Sequence, residues 1–485
     1  MESNHDLTFS VDYANRSKTN GGKFQGWGTS LCWWANRIGD SQTLSREAAR
    51  LFYSLDGLGF NIMRYNIGGG DDPEHDHITR SDSEVPGWLY KNPGTGMFEY
   101  NYTADGRQLR VLKECYRAAG PDAYVEVFSN SPPYFMTESG CSSGAENAAK
   151  NNLKPKYYGN FGKYLATVSS HIEKKLNVKV SSVSPMNEPD TDYWHAFSEK
   201  QEGCHVDPGT DQSEIILETA AAFNAARLSA EIVASDETST DKALSSYLAY
   251  SDEARKVIDR INTHTYGVDK IKELGALRKK KGFNLWMSET DSGETAGENA
   301  GEMGAALWIS RKIISDINGL DPSAWVMWQV IGTYVSTGGF NGKKDAGMPD
   351  VTKGFWGAAV ADLDLQTIYL TQKYYAIGQF TRFIRPGSTI ILTDDDSVIA
   401  AYDPSKKTLT VVAVNTSKAD RNAVFNLKGF KVAGDASVVR TSGNLGSGES
   451  WKELGVIHAE SAGFRFTLIG NSVTTFVIEG VTPGK

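Results

Sequence analysis

Two stretches of the chain end in a glutamate placed to do chemistry. The first, Val183-Ser184-Pro185-Met186-Asn187-Glu188-Pro189, is an extended run closing in Asn-Glu-Pro. The second, Leu285-Trp286-Met287-Ser288-Glu289, is a strand-like run followed by the loop-like Thr290-Asp291-Ser292-Gly293. Any one of the 59 acidic residues is by default a solvated surface group. Two glutamates that each terminate a strand pattern are different, because a protonated and an ionised carboxyl together can cleave a glycosidic bond. When roughly 5–5.5 Å separates such a pair, one attacks the anomeric carbon and the other serves first as acid and then as base, so configuration is retained. For this Glu188 must keep its proton, which the negative charge of a close Glu289 would promote.

A pair of this kind needs a frame that brings distant strand ends together. From about residue 24 to 383, short apolar or β-branched runs alternate with amphipathic helical stretches. The runs are Gln25–Ser30, Asn61–Asn66, Tyr124–Ser129, Val180–Met186, Glu231–Ala234, Ile261–Tyr266, Asn284–Ser288 and Ala324–Gln329. Between them, Phe161, Tyr164, Leu165, Val168 and Ile172 fall on one helical stripe. Eight strands separated by helices predict an α/β fold of the (β/α)8 TIM-barrel type, whose reactive groups sit at the carboxyl ends of the strands. Glu188 and Glu289 then close strands four and seven. A doubly wound sheet would alternate similarly, but the chain has no Gly-rich phosphate turn.

After Arg385-Pro386-Gly387 the texture turns to short β-rich runs, Thr389–Leu392, Leu409–Val414, Val438–Arg440 and Val473–Ile478, broken by turn signals. The expected organisation is a catalytic barrel over 23–383 and a side β-sandwich made from 1–22 plus 384–485. The alternating Leu7–Val11 run feeds the sandwich and makes that domain discontinuous.

The strings that carry the strand ends resemble a known family. Asn187-Glu188 and Glu289 match the placement shared by retaining barrel glycosidases. Within them the chain is similar to glycoside hydrolase family 30, and to its endo-β-1,6-galactanase branch, over essentially its whole length. The strings are Gly26-Trp27-Gly28-Thr29-Ser30-Leu31-Cys32-Trp33-Trp34-Ala35, Met63-Arg64-Tyr65-Asn66-Ile67-Gly68-Gly69-Gly70, Ser129-Asn130-Ser131-Pro132-Pro133 and Gln201-Glu202-Gly203-Cys204. The resemblance implies that Glu289 is the nucleophile, Glu188 the acid/base and Asn187 a partner of the sugar 2-hydroxyl. It also implies that Arg64 keeps the nucleophile ionised, that His264 and Tyr266 lie beside it, and that Trp328 is a platform under the sugar. His264 and Tyr266 alternate in Thr263-His264-Thr265-Tyr266 and so share one side of a strand. Trp33 and Trp34 cannot share one orientation, so one of the two is expected in the cleft. Asn66 and Asn130 are further expected substrate contacts.

Asp71-Asp72-Pro73-Glu74-His75-Asp76-His77 could suggest a metal, but the run reads as a solvated or sugar-binding loop in which Asp71 bonds a hydroxyl. The chemistry of two carboxyls needs neither metal nor cofactor, and none is expected. With 50 basic against 59 acidic residues the net charge is −9, which argues against nucleic acid or an anionic membrane as partner. The basic run Arg278 to Lys281 reads as a solvated helix end. The 11 Trp, 21 Tyr and 20 Phe suit stacking on sugar rings, and the expected partner is an oligo- or polysaccharide bound by a monomer. No apolar stretch is long enough to span a membrane, and the polar start MESNHDLTFS is no signal peptide. The protein is then either intracellular or secreted with its leader absent from this chain, and sequons at Asn15, Asn101 and Asn415 favour the second, extracellular reading. Of the four cysteines, Cys141 and Cys204 in polar Gly-rich loops are the candidates for a disulfide; the alternative is four buried thiols.

Overall fold

The computed structural model describes residues 7–292, 302–345 and 356–484; Gly293, in the loop after the second glutamate, lies outside them. Strand β1 (Leu7–Asp12) precedes eight strands that close a barrel. These are β2 (Gly26–Ser30), β3 (Ile62–Asn66), β4 (Tyr124–Phe128), β5 (Ser182–Ser184), β6 (Glu231–Ser239), β7 (Arg260–Gly267), β8 (Asn284–Glu289) and β9 (Ala324–Met327). All eight pairings are parallel, and β9 returns to β2 with Trp325 opposite Trp27.

Alternation along the strands sends one set of side chains out to the helices and the other into the barrel. Met63, Tyr65, Val125 and Val127 belong to the large outer core, which also holds the stripe Phe161, Tyr164, Leu165, Val168 and Ile172 of helix α1 (Tyr158–Leu176). Each such side chain contributes about 1.5–3 kcal/mol on burial. The helix stops where Asn177 takes the left-handed conformation, φ 54°, and bonds back to Glu173.

The inward set is layered. Ile62, Trp286, Ala324 and Val326 form a small apolar floor. Above it the filling is polar: the Arg260 guanidinium lies 3.5 Å over the Trp286 ring and pairs with Glu126, which also accepts bonds from Ser182 (2.9 Å), Asn262 (2.9 Å) and Arg64 (3.1 Å). Glu126, Arg64 and Arg260 are fully buried, so each charge is held by fixed partners instead of water.

The side unit is two facing sheets. One orders Thr389–Ile391, Val398–Asp403, Thr408–Asn415, Ser472–Ile478, Ala436–Ser442 and Glu449–Ile457. The other places β1 beside Arg421–Lys428 and Gly463–Leu468, with Leu7 opposite Ala423 in a parallel pairing. Within Thr408–Asn415, Leu409, Val411 and Ala413 face the inner sandwich core, while Val412 and Val414 face the barrel's core.

Several local expectations change. Strand β6 runs on to Ser239, past the apolar Glu231–Ala234, because its polar extension is buried through a register shift around Asp236. Strands Val398–Asp403, Arg421–Lys428, Glu449–Ile457 and Gly463–Leu468 carry no marked apolar run except the first and were not anticipated. Arg278 is not a solvated helix end: it turns inward to Asp321 at 2.5 Å, leaving the three lysines outside. All four cysteines are buried free thiols, so the Cys141–Cys204 pairing is corrected: Cys204 packs in the outer core and Cys141 faces His77. Asn415 is buried, its amide donating to three carbonyls, so this sequon offers no free amide. No described helix is long and apolar enough to cross a membrane.

Candidate active site

Glu188 follows β5 in a tight turn with φ 48°, a conformation rare for a non-glycine residue and held here by three fixed bonds. Its N–H donates to the Asp236 carbonyl (2.8 Å), and its own carbonyl accepts from Thr191 (2.9 Å) and from the Trp194 indole (3.1 Å). Trp194 can lie there only because residue 203 is glycine, since a Cβ at Gly203 would come within 2.2 Å of the indole ring. The Glu188 carboxyl is buried, with Oε2 accepting from the Tyr193 hydroxyl (2.6 Å) and Oε1 lying 3.0 Å from His264 Nδ1.

Glu289 ends β8. Its Oε2 accepts from Arg64 Nη1 (2.9 Å) and its Oε1 from the Tyr266 hydroxyl (3.1 Å), with His264 Nδ1 at 3.6 Å. The nearest carboxylate oxygens of Glu188 and Glu289 and a ring nitrogen of His264 all lie within 4.8 Å of one another. Arg64 also donates to Asp236 (2.5 Å), and Asp236 receives the other face of the cluster from His264 Nε2 (3.1 Å) and Ser288 (2.6 Å).

Burial works against a charge on His264, but the Glu289 charge and the bonds to Asp236 and Glu188 outweigh it and push the ring up to about 10. Burial also raises Glu188, yet the charged His264 ring and the Tyr193 hydroxyl hold it below the ordinary glutamate range. Glu289 is raised, chiefly by burial, with His264 and Arg64 offsetting part of it. This direction differs from the expectation that a close Glu289 helps Glu188 keep its proton, because His264 lies between the two carboxylates. His264 Nδ1 is one hydrogen bond from Glu188, so the two groups can share a proton. Asp236 stays well below the usual carboxylate range: burial opposes this, but Arg64 and His264 prevail.

These groups open on a cavity of about 430 Å3 lined by Trp33, Asn187, Glu188, Tyr266, Glu289 and Trp328, with Arg80, Tyr193, Trp194 and Trp356 among its other walls. Trp33 and Trp328 meet edge to face at 4.9 Å, and the Arg80 guanidinium covers Trp33 at 4.3 Å. Trp34 is the other member of its pair and is corrected: it sits in the outer core against Phe52, its indole bonded to Ser30. Asn66 and Asn130 do not line this cavity; Asn66 donates to Glu202 (3.3 Å) and accepts from the Asn130 N–H (3.3 Å), bracing the loops beneath. Asp71 lines a separate cavity of about 1020 Å3 with Glu202, and its carboxylate is already engaged by His75, His77, Ser142 and the Asp72 N–H.

Sequence reasoning missed Asp236, Glu126, Tyr193 and Glu202. Glu202 is buried and pushed up to about 8, by burial above all. The usable signal for Asp236 was the polar run Ser235-Asp236-Glu237-Thr238-Ser239 directly continuing an apolar strand. Tyr193 had none, since it lies in a loop whose path is set by Trp194.

A closed parallel barrel with two buried glutamates converging at its mouth defines a barrel glycosidase. The comparisons agree, and the chain belongs to O-glycosyl hydrolase family 30, whose family model matches residues 14–267. It is 29% identical to an endo-β-1,6-galactanase of Hypocrea rufa, over 98% of this chain and 95% of the relative. It is 25% identical to an exo-β-1,6-galactobiohydrolase of Bifidobacterium longum subsp. longum over 84% of this chain, and spans 34% of that longer relative. The catalytic domain of GH30 xylanase C from Talaromyces cellulolyticus shares the fold, with TM-score 0.71 and 17% identity over 97% of this chain and 99% of that one.

Proposed function

We propose that the chain hydrolyses β-1,6-galactosidic linkages of galactan and arabinogalactan side chains by double displacement, with Glu289 as nucleophile and Glu188 as acid/base. The observation that carries the mechanism is the approach of the two carboxylates to within 4.8 Å, which suits a retaining pair and leaves no room for the water of an inverting one. Arg64 and Tyr266 each donate to Glu289 and favour its anion, while His264 supplies the proton that Glu188 passes to the leaving oxygen. Once Glu289 is glycosylated its charge is gone, His264 loses a counter-charge, and Glu188 is the base facing the incoming water. Asn187, in the cavity wall beside Glu188, is the partner proposed for the 2-hydroxyl, a bond that strengthens at the transition state. Trp328 is the platform for a flexible β-1,6-linked chain, backed edge to face by Trp33, whose own ring is covered by Arg80. The barrel over 23–383 carries this chemistry, and 1–22 plus 384–485 form the side domain.

The substrate rests on the two relatives whose names specify β-1,6-galactan chemistry. A polymer of this kind does not cross membranes, so the reading places the protein outside the cell. The test is incubation with β-1,6-galactan, β-1,6-glucan and xylan, with products resolved by chromatography. Short galacto-oligosaccharides from the first, with little release from the others, are expected. Faster cleavage of glucan or xylan overturns the substrate and leaves the roles of the two glutamates standing.

A further inference from the structure

We propose that Asp71, His75, His77 and Cys141 form a binding site for one divalent metal ion of zinc-like softness, which fastens two loops beside the catalytic cleft. One donor atom from each of the four lies within 4.8 Å of the other three. Asp71 and the two histidines come from the loop after β3, and Cys141 from the loop after β4.

Four contacts link these donors, three among His77 Nε2, Cys141 Sγ and Asp71 Oδ2 and one from His75 Nδ1 to the other Asp71 oxygen. His77 Nε2 is 3.3 Å from Cys141 Sγ and 2.7 Å from Asp71 Oδ2; Cys141 Sγ is 3.9 Å from the same oxygen, and His75 Nδ1 is 3.0 Å from Asp71 Oδ1. Zinc bonded to nitrogen, oxygen and sulfur at about 2.0–2.3 Å spaces its ligands by about 3.3–3.6 Å. Seating an ion among them therefore requires His77 Nε2 and Asp71 Oδ2 to part by about 0.6 Å.

A second observation lies outside the cluster. His77 Nδ1 is 2.7 Å from the Ser198 carbonyl, which can only accept, so the Nδ1 proton is fixed there. The Nε2 side of the ring faces a carboxylate oxygen and a sulfur together, an arrangement that one shared positive centre satisfies. A proton on Nε2 would serve the carboxylate alone, whereas an ion serves all four donors. A ring nitrogen donating to a backbone carbonyl is also the usual way a metal-binding histidine is oriented. Around the cluster, the Phe197 N–H donates to Cys141 Sγ (3.3 Å), and Ser142 donates to Asp71 (2.7 Å). The Phe197 ring stands edge-on to both imidazoles, at 5.0 and 5.6 Å.

Two histidines, a thiolate and one carboxylate suit zinc, while calcium and magnesium prefer all-oxygen shells. The consequence is positional. Ser198, held by His77, is also a wall of the catalytic cavity, so the ion sets the shape of the cleft without entering the reaction. This proposal departs from the expectation of a solvated or sugar-binding loop over Asp71–His77.

The test uses the full chain, stripped with a chelator, dialysed against zinc and analysed by mass spectrometry for bound metal. One zinc per chain is expected, with a melting temperature about 2–4 °C above that of the stripped protein and no rise with calcium or magnesium. Cobalt substitution should give a thiolate-to-cobalt charge-transfer absorption in the wild type that Cys141→Ser lacks. Cys141→Ser and His77→Ala should each weaken zinc retention by at least about 100-fold. Failure of the stripped wild type to take up stoichiometric zinc, or equal retention by both variants, overturns the site. The wild-type cobalt spectrum decides the matter even if a variant fails to fold.

Discussion

At the scale of single residues, the centre is a charge balance around His264, which touches one carboxylate and approaches another on Nδ1 and holds a third on Nε2. Its folded value near 10 lies above the unfolded value of about 6.5. A group raised in this way stabilises the fold fully below about pH 6.5 and loses that contribution as pH climbs through 10. Thermal melts of wild type and His264→Gln should therefore differ most at neutral and acidic pH and converge above pH 10; parallel curves would show that the ring is uncharged. Glu289→Gln removes the nucleophile and keeps the volume, so turnover should fall by more than about 1,000-fold while folding and substrate binding persist. Residual activity above a few per cent, with deamidation excluded by mass, would reassign the nucleophile. Glu188→Ala should suffer badly on galactan and far less on a glycoside with a good leaving group, which needs no protonation. Azide should then yield a glycosyl azide of retained configuration, and equal losses on both substrates would remove Glu188 from its role.

At the scale of elements, the loop after β8 is tied to helix α2 (Gln372–Thr381) through a buried ion pair, Lys373 to Asp291 at 2.5 Å, while Asp291 also accepts from the Gly357 N–H at 2.6 Å. Lys373→Met leaves Asp291 as an unpaired buried charge two residues from Glu289. A loss of about 3–5 kcal/mol in stability by denaturant titration is expected, and a change below 1 kcal/mol would mean that Asp291 finds another partner. Such ties also mark where the sequence stopped being readable. Eight barrel strands were legible because each carries apolar or β-branched residues at strand period, and Glu188 and Glu289 were legible as the carboxylates closing two of them. Asp236 was not, because its burial depends on Arg64, His264 and Ser288 arriving from three other strands. The choice between Trp33 and Trp34 was open for the same reason: adjacent tryptophans look alike until Phe52 and Trp328 claim one each. Arg421–Lys428 and Gly463–Leu468 escaped notice because their outward faces alternate polar residues with few inward ones.

At the scale of the whole molecule, barrel and sandwich are joined through shared core, since one six-stranded sheet buries residues on both of its faces. The strand β1 completes the far sheet with Phe9 and Val11 buried against Phe425 and Leu427. Replacing Phe9 by Ala should cost about 3–5 kcal/mol, measurable as a lowered denaturant midpoint. An unchanged midpoint would show that the sandwich does not depend on this strand.

That pairing also sets an order of events during synthesis. The strand is made well before its neighbour, which begins at Arg421, roughly 400 residues later. At about 5–20 residues per second the first strand waits about 20–80 s with its edge and its phenylalanine uncovered. The barrel can close in that interval, so the sandwich, whose strands flank the barrel in sequence, completes its far sheet only after the barrel has been made.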